Sequence, residues 1–136
     1  MQNDKREKDY GIHVLLAEDD EINLEVFVEL LNLLGCTVDI ARNGQELVDM
    51  FDPDMHQILF VDISMPVMDG LESTKKILER LGPDKKIVIV AVTAHAFPED
   101  REACLNAGMD DYIPKPAVIG DFKQVLDKYA DRFNGE

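Results

Sequence analysis

The stretch Ile87-Val88-Ile89-Val90-Ala91-Val92 is apolar at every position and rich in β-branched residues. A run of this length without polar alternation is typical of a strand that is covered on both faces, as in a parallel sheet. Val14-Leu15-Leu16-Ala17 and Ile58-Leu59-Phe60-Val61 have the same character. Residues 37–40 and 111–113 are weaker strand candidates. The sequence therefore predicts a sheet of five strands with a buried centre.

Helical patterns lie between these runs. Before Gly35, a suitable C-terminal stop, the first helix has apolar residues in the i, i+3, i+4 pattern, at positions 26, 27, 30, 31 and 34. Further helices are predicted at 45–51, at 71–81, from Pro98 onward and as one last helix from Phe122 to Phe133. The order βαβαβαβαβα predicts a parallel sheet with helices on both faces and right-handed crossovers.

Size and charge limit the possible functions. The chain has 136 residues, which suits one domain with its own core. With 28 acidic and 14 basic residues the net charge is −14, and such a surface repels a phosphate backbone, so we expect no direct contact with nucleic acid. No apolar run approaches the roughly 20 residues that span a membrane, so we expect no membrane contact by this domain.

The cysteines favour a location in the cytoplasm, and the histidines form no metal-binding motif in the sequence. Cys36 and Cys104 form no C-x-x-C pair and lie in apolar segments, so we expect buried, reduced thiols. His13, His56 and His95 are far apart and show no metal-ligand spacing. The start of the chain lacks the apolar core of a secretory signal.

Composition also suggests the domain boundaries. Residues 1–11 are polar and charged and are predicted to be a linker or a disordered tail. Residues 12–133 form the predicted domain, and residues 134–136 a C-terminal tail.

Polar residues stand where the predicted strands end. Glu18-Asp19-Asp20 follows the first strand, Asp62 the third and Lys115 the fifth, while Thr93 ends the fourth. In open parallel sheets, ligands bind beyond the carboxyl ends of the strands, near the switch in strand order. The fold therefore brings several carboxylates, a hydroxyl and an ammonium to one edge.

Such a cluster needs positive charge. Two unit charges about 4 Å apart repel by roughly 4 kcal/mol at an effective dielectric of 20. Lys115 supplies one positive charge, and a hard cation such as Mg²⁺ supplies two more. The combination suits phosphoryl transfer, in which Asp62 attacks in line while metal and lysine neutralise the phosphoryl oxygens. Taken singly, each residue has an ordinary explanation, and Asp20 is equally well explained as a helix N-cap.

Four motifs together resemble response-regulator receiver domains. They are Val14-Leu15-Leu16-Ala17-Glu18-Asp19-Asp20, Val61-Asp62-Ile63-Ser64-Met65-Pro66-Val67-Met68-Asp69-Gly70, Val92-Thr93-Ala94 and Asp111-Tyr112-Ile113-Pro114-Lys115-Pro116. The likeness covers about residues 12–133 and is strongest to receivers of hybrid sensor histidine kinases. It implies a flavodoxin-like (βα)5 fold, doubly wound, with strand order 2-1-3-4-5.

The resemblance implies roles for the residues at the strand ends. Asp62 would be the phosphoacceptor, with Mg²⁺ as cofactor. Asp19 would bind Mg²⁺ directly, Glu18 would bind it through water, and the main-chain carbonyl of Ser64 would complete the ligands. Glu18 stands where many family members have aspartate.

Further roles concern the phosphoryl group and the switch. Thr93 would hydrogen-bond the phosphoryl group, Lys115 would pair with it, and Tyr112 would change rotamer on activation. The resemblance also motivates the prediction of a cis peptide bond between Lys115 and Pro116, which would aim the ammonium back at the site.

The implied function is that of a phosphorelay module, which takes a phosphoryl group from a phosphohistidine onto Asp62 and then switches conformation or passes the group on. It would catalyse only its own phosphorylation and dephosphorylation. The implied partner is a histidine kinase dimerisation domain or a histidine phosphotransfer protein. We expect a cytoplasmic chain that is either a free-standing receiver or part of a hybrid histidine kinase, including the cytoplasmic part of a membrane-anchored one. The first helix, 22–34, is the expected docking face, although Phe27 and Leu31 could instead cover the sheet.

Three rival functions predict different features. A haloacid-dehalogenase-type enzyme needs a second carboxylate two residues after its nucleophile, where this chain has Ser64. A flavodoxin-like electron carrier needs a phosphate loop after the first strand, where Glu18-Asp19-Asp20 would repel a flavin phosphate. A pseudo-receiver that docks without phosphorylation would not need the full set of site residues.

Overall fold

The computed structural model describes residues 10–84, 87–94 and 97–133. Most of the proposed linker (1–9), the proposed tail (134–136) and His95 lie outside the described residues. The strands are β1 His13–Ala17, β2 Thr37–Ala41, β3 Ile58–Val61, β4 Val88–Thr93 and β5 Asp111–Pro114. The helices are α1 Glu21–Leu33, α2 Gly44–Met50, α3 Gly70–Leu81, α4 Pro98–Asn106, α5 Ile119–Lys128 and α6 Ala130–Phe133.

The five strands form one parallel sheet in the order β2-β1-β3-β4-β5, which confirms the predicted doubly wound, flavodoxin-like fold. Every residue of β3 and β4 is buried, as expected for strands that have helices on both faces. The edge strands β2 and β5 are partly exposed, which explains why their apolar patterns are weak.

Two apolar layers flank the sheet. On one face, α1 and α5 contribute Phe27, Leu31 and Phe122, and the ring of Phe122 packs edge-on against Phe60 at a centroid distance of 5.1 Å. On the other face, the buried side chains come from α2, α3 and α4, including Cys104. Phe27 and Leu31 are 2% and 0% exposed, so they belong to the core and not to a docking face.

Both thiols are buried and form no disulfide, as expected. Across the described ranges, no helix combines the length and the apolar character that crossing a membrane requires.

The prediction of one last helix from Phe122 to Phe133 was wrong. The chain leaves the helical conformation at Tyr129, whose φ is −108° and ψ 16°, and a separate short helix follows. The Tyr129 hydroxyl donates a hydrogen bond of 3.0 Å to the carbonyl of Asp110, next to β5. This hydrogen bond to the residue before β5 is made at the point where the helix breaks. The spacing of apolar residues along a helix does not predict such a bond.

Candidate functional site

Backbone pairing at the carboxyl edge of the sheet places two carboxylates side by side. Ala17 and Val61 are register partners, so Glu18 and Asp62 leave the sheet as neighbours. The Asp62 amide donates to the carbonyl of Ala17 at 2.9 Å, and the Glu18 amide donates to the carbonyl of Ala41 at 3.0 Å. Both residues are buried, with 1% of Glu18 and 5% of Asp62 exposed.

Lys115 reaches these carboxylates from the end of β5. Its amide donates to the carbonyl of Thr93 at 2.9 Å, and its peptide bond to Pro116 is cis, which confirms that expectation. The ammonium Nζ lies 2.9 Å from Oε1 of Glu18 and 3.3 Å from Oδ2 of Asp62. One positive charge therefore lies between two buried negative charges.

The environment shifts the ionisation of both partners. Burial raises the pKa of Asp62 from 3.8 to about 6, and the charge of Glu18 adds to this effect while Lys115 opposes it. Burial opposes the charge of Lys115, but the contact with Glu18 and the charge of Asp62 outweigh it, so the pKa of Lys115 is raised above its ordinary value. The ammonium is therefore charged at neutral pH.

The two acids that follow Glu18 differ in position. Asp19 is exposed, and its carboxylate lies within 4.8 Å of those of Glu18 and Asp62, so the three form one group that could hold a metal. Asp20 instead caps α1, because its side chain accepts a hydrogen bond of 3.4 Å from the amide of Asn23. The N-cap alternative for Asp20 is thereby confirmed.

The donor set fits Mg²⁺. Three carboxylates beside one ammonium leave an excess negative charge that one divalent cation balances. Carboxylate oxygens, completed by water or a main-chain carbonyl, are the ligands that Mg²⁺ prefers. The exposed carboxylate of Asp19 leaves this group open to solvent on one side.

Of the other predicted residues, Ser64 contacts this group, and Thr93 and Tyr112 lie in β4 and β5. The Ser64 amide donates to Oδ1 of Asp62 at 3.3 Å. Thr93 ends β4 and is fully buried. Tyr112 is the register partner of Ala91, two residues before Thr93, so Thr93 and Tyr112 lie on the same face of the sheet. The Tyr112 ring packs against the apolar layer of α2, α3 and α4.

The loop between β3 and α3 is held close to Asp62. The Gly70 amide donates to the carbonyl of Ile63 at 2.8 Å, and Asp69 caps α3 by accepting from the amide of Glu72 at 2.8 Å. Val67 has a φ of 70°, a conformation that is costly for a β-branched residue. The sequence motif did not reveal this backbone strain next to the site.

Gly70→Ala is expected to destabilise the fold by about 1–3 kcal/mol, the usual cost of overpacking. A Cβ at this position would lie 2.4 Å from the carbonyl oxygen of Asp62, and backbone yields poorly. Urea unfolding would measure the loss. Gly120→Ala in α5 is the matched control, since nothing lies within 4 Å of its Cβ and alanine favours helices. Equal stability of the two variants would contradict the steric argument.

Sequence reasoning missed a second group of side chains, His13, Asp39 and His56, at the other edge of the sheet. The prediction that the histidines show no ligand spacing considered the linear sequence alone. The predicted strand order contains the signal that could have revealed the group. The strands β2, β1 and β3 are neighbours in the sheet, and the three residues lie on these strands or just before them.

Comparison with known proteins agrees with this architecture. Residues 14–127 match the model of the response regulator receiver domain. The chain is 36% identical over 129 residues to hybrid signal transduction histidine kinase L of Dictyostelium discoideum, a match that covers 89% of this chain and 7% of the relative.

Solved structures give the same result. The receiver domain of sensor histidine kinase PA1611 from Pseudomonas aeruginosa PAO1, solved with a magnesium ion in its active site cleft, is 31% identical with a TM-score of 0.76. That match covers 89% of this chain and 98% of that one. The receiver domain of Ssk1 from Saccharomyces cerevisiae, solved with the histidine phosphotransfer protein Ypd1, is 26% identical with a TM-score of 0.81, covering 88% and 89%.

The family model spans most of the chain, and the fold and strand order agree with it. The chain corresponds to only a small part of the length of the hybrid kinase that it matches. It belongs to the response regulator receiver domain family of two-component signalling.

Proposed function

We propose that the chain accepts a phosphoryl group on Asp62 from a phosphohistidine, with Mg²⁺ held by Glu18, Asp19, Asp62 and the main-chain carbonyl of Ser64. The observation that carries this proposal is the Lys115 ammonium, which lies 2.9 Å from Glu18 and 3.3 Å from Asp62 beside the exposed Asp19. The magnesium ion in the PA1611 receiver supports the choice of cofactor.

In the proposed transfer, a carboxylate oxygen of Asp62 forms a bond to phosphorus while the bond between phosphorus and the donor's imidazole nitrogen breaks. The electron pair of that bond leaves with the imidazole. Lys115, which lies 3.3 Å from Asp62, would pair with a phosphoryl oxygen, and Thr93 would hydrogen-bond another from the end of β4. Bound Mg²⁺ supplies further neutralisation of the phosphoryl oxygens.

The likeness to hybrid kinases and to the Ypd1-bound receiver supports a proposal for the pathway and the partner of this chain. We infer a cytoplasmic receiver in a phosphorelay, as one module of a hybrid histidine kinase or as a free-standing protein. Its partner would be a histidine phosphotransfer domain or a kinase dimerisation domain. The chain would act only on itself, through gain and loss of its own phosphoryl group, and not on a separate substrate.

Incubation with acetyl phosphate and Mg²⁺ tests the proposal, because a small donor needs no docking surface. Intact-mass spectrometry should show the gain of one phosphoryl group, and EDTA should prevent it. Peptide mapping after borohydride reduction should locate the group at Asp62. Labelling that persists in EDTA, or that maps to another residue, would contradict the proposed site.

The placement of Thr93 and Tyr112 on one face of the sheet supports a conformational switch. In this scheme Thr93 would move toward the site to bond a phosphoryl oxygen, which would free space for the Tyr112 ring to turn inward. The surface made by α4, β5 and α5 would change with it.

Thr93→Ala is expected to be phosphorylated by acetyl phosphate yet to lose the response of Tyr112. NMR of the Tyr112 ring before and after phosphorylation would measure this, with the wild-type chain as the reference. An unchanged Tyr112 ring in the phosphorylated wild type would count against the switch.

A further inference from the structure

Three potential metal ligands converge at the amino edge of the sheet, away from Asp62. His13 begins β1, Asp39 lies in β2 and His56 lies two residues before β3. Nε2 of His13 is 2.8 Å and Nε2 of His56 is 2.9 Å from the same Oδ2 of Asp39. The proposed phosphoryl transfer makes no use of this group.

We propose that His13, Asp39 and His56 form a binding site for a divalent transition metal, with Zn²⁺ as the best fit. One ligand atom from each residue lies within 4.8 Å of the others. Two imidazole nitrogens and one carboxylate oxygen suit Zn²⁺ in sites that keep a further position for water. Mg²⁺ prefers oxygen ligands, so this site would differ in metal class from the acidic group at the other edge.

The distances from the two imidazoles to Asp39 need only a small expansion to admit the ion. Ligand atoms around tetrahedral Zn²⁺ are about 3.4 Å apart, given bonds of roughly 2.1 Å. The Asp39 carboxylate would have to withdraw by about 0.5 Å to reach that spacing. Its side chain is 40% exposed and that of His13 is 29% exposed, so both can adjust and the ion can enter from solvent.

His56 is the most buried of the three ligands. Its side chain is 2% exposed, and its ring stacks on Phe51 at a centroid distance of 6.2 Å. The ring of His13 lies perpendicular to it, with centroids 5.1 Å apart. The two imidazoles are therefore held on either side of one carboxylate oxygen before any metal binds.

The turn before β3 sets a cost on metal binding. Nδ1 of His56 accepts a hydrogen bond of 3.1 Å from the Asp52 amide, so the proton of the neutral ring is on Nε2 and is donated to Asp39. A metal at Nε2 displaces that proton, and the neutral ring then carries its proton on Nδ1, facing the Asp52 amide. The turn must open, and loss of a favourable outer partner typically lowers metal affinity by about 10–100-fold.

Calorimetric titration of the full chain with Zn²⁺ tests the proposal, with millimolar Mg²⁺ present to occupy the acidic group. One Zn²⁺ per chain should bind, and Asp19→Asn, which alters the acidic group, should bind it equally well. His13→Gln should weaken binding at least tenfold. The Asp52 amide should shift in the ¹H–¹⁵N spectrum of the wild type as Zn²⁺ is added.

The same variants define the contrary results. No Zn²⁺ binding by the wild type, equal binding by His13→Gln, or loss of binding in Asp19→Asn would each overturn the proposed site. His13→Gln removes a half-buried side chain and leaves the Asp52–His56 turn bond in place, so its metal-free melting temperature should match the wild type and separate ligand loss from unfolding.

Discussion

Asp62→Asn is expected to abolish phosphorylation by acetyl phosphate and, at pH 7 without Mg²⁺, to make the chain more stable. The first effect follows because an amide oxygen is a poor nucleophile at phosphorus. The second follows from burial of the Asp62 carboxylate beside Glu18, which raises the pKa of Asp62 from 3.8 to about 6. The folded chain thus disfavours the charge that Asp62 carries at neutral pH, and asparagine removes it.

The sign and size of this effect follow from linkage. Because the folded pKa of Asp62 is raised, its favourable contribution is fully present below pH 3.8 and is lost as pH rises through about 6. At pH 7 the metal-free wild type lacks that contribution, which amounts to about 2–3 kcal/mol for a shift of this size. Asparagine should restore it, raising the melting temperature on the order of 5–10 °C.

Thermal unfolding at pH 7 with EDTA measures this difference, and excess Mg²⁺ should reduce it by stabilising the wild type through binding. Asp20→Asn is the matched control, because asparagine caps a helix as well as aspartate does and Asp20 caps α1. That control should keep both wild-type labelling and wild-type stability. Equal melting temperatures of Asp62→Asn and the wild type in EDTA would mean that Asp62 is not strained by its charge.

The centre of the fold could be predicted because its signals are local. The run at 87–92 is apolar at each position, since β4 is buried on both faces, and the same holds for β3. The edge strand β5 was harder to predict, because only one of its four residues is fully buried. The break at Tyr129 lies where the hydroxyl of that residue bonds to Asp110, nineteen residues away, and no local pattern reveals such a contact.

In the candidate site, too, some features could be predicted from the sequence and others could not. The rule that ligands bind beyond strand ends selected Glu18, Asp62 and Lys115, and the structure brings these side chains into contact. The Lys115 ammonium lies closer to Glu18 than to Asp62. This difference depends on the side-chain conformations of the three residues, which a local stretch of sequence does not determine. The chemical roles of these residues stay predictions.

Close approaches between distant segments were also beyond sequence reasoning. A Cβ on Gly44 would lie 2.0 Å from the carbonyl oxygen of Met68, so α2 begins against the loop that follows Asp62. In the sequence Gly44 resembles any glycine at a helix start. The group of His13, Asp39 and His56 is a different case: 26 and 17 residues separate the two histidines from Asp39, but the predicted strand order already makes their strands neighbours.

Substitution of the exposed apolar residues of α1 is expected to slow phosphoryl transfer from a histidine donor by about 10–100-fold. Ile22 is 72% and Val26 43% exposed, and their spacing of four places them on one face of the helix. This face begins next to Asp19, since Asp20 caps α1. A helical-bundle partner that packed on it would hold its histidine close to Asp62.

The magnitude follows from the contact area that a partner would cover. Burying a large aliphatic side chain contributes about 1.5–3 kcal/mol when burial is complete, and every 1.4 kcal/mol changes an affinity about tenfold. Serine at both Ile22 and Val26 would therefore weaken docking by one to two orders of magnitude even with partial burial. The core should be unaffected, because the buried side of α1 is formed by other residues, namely Leu24, Phe27 and Leu31.

The experiment compares two donors on the Ile22→Ser, Val26→Ser double variant. Transfer from a phosphorylated histidine phosphotransfer domain should slow, while labelling by acetyl phosphate should keep its rate, because a small donor does not touch α1. Met55→Ser is the control: Met55 is 47% exposed but lies in the turn before β3, at the opposite edge of the sheet from Asp62. A parallel fall of both rates would show that α1 supports the site structurally, and an unchanged histidine-donor rate would place docking elsewhere.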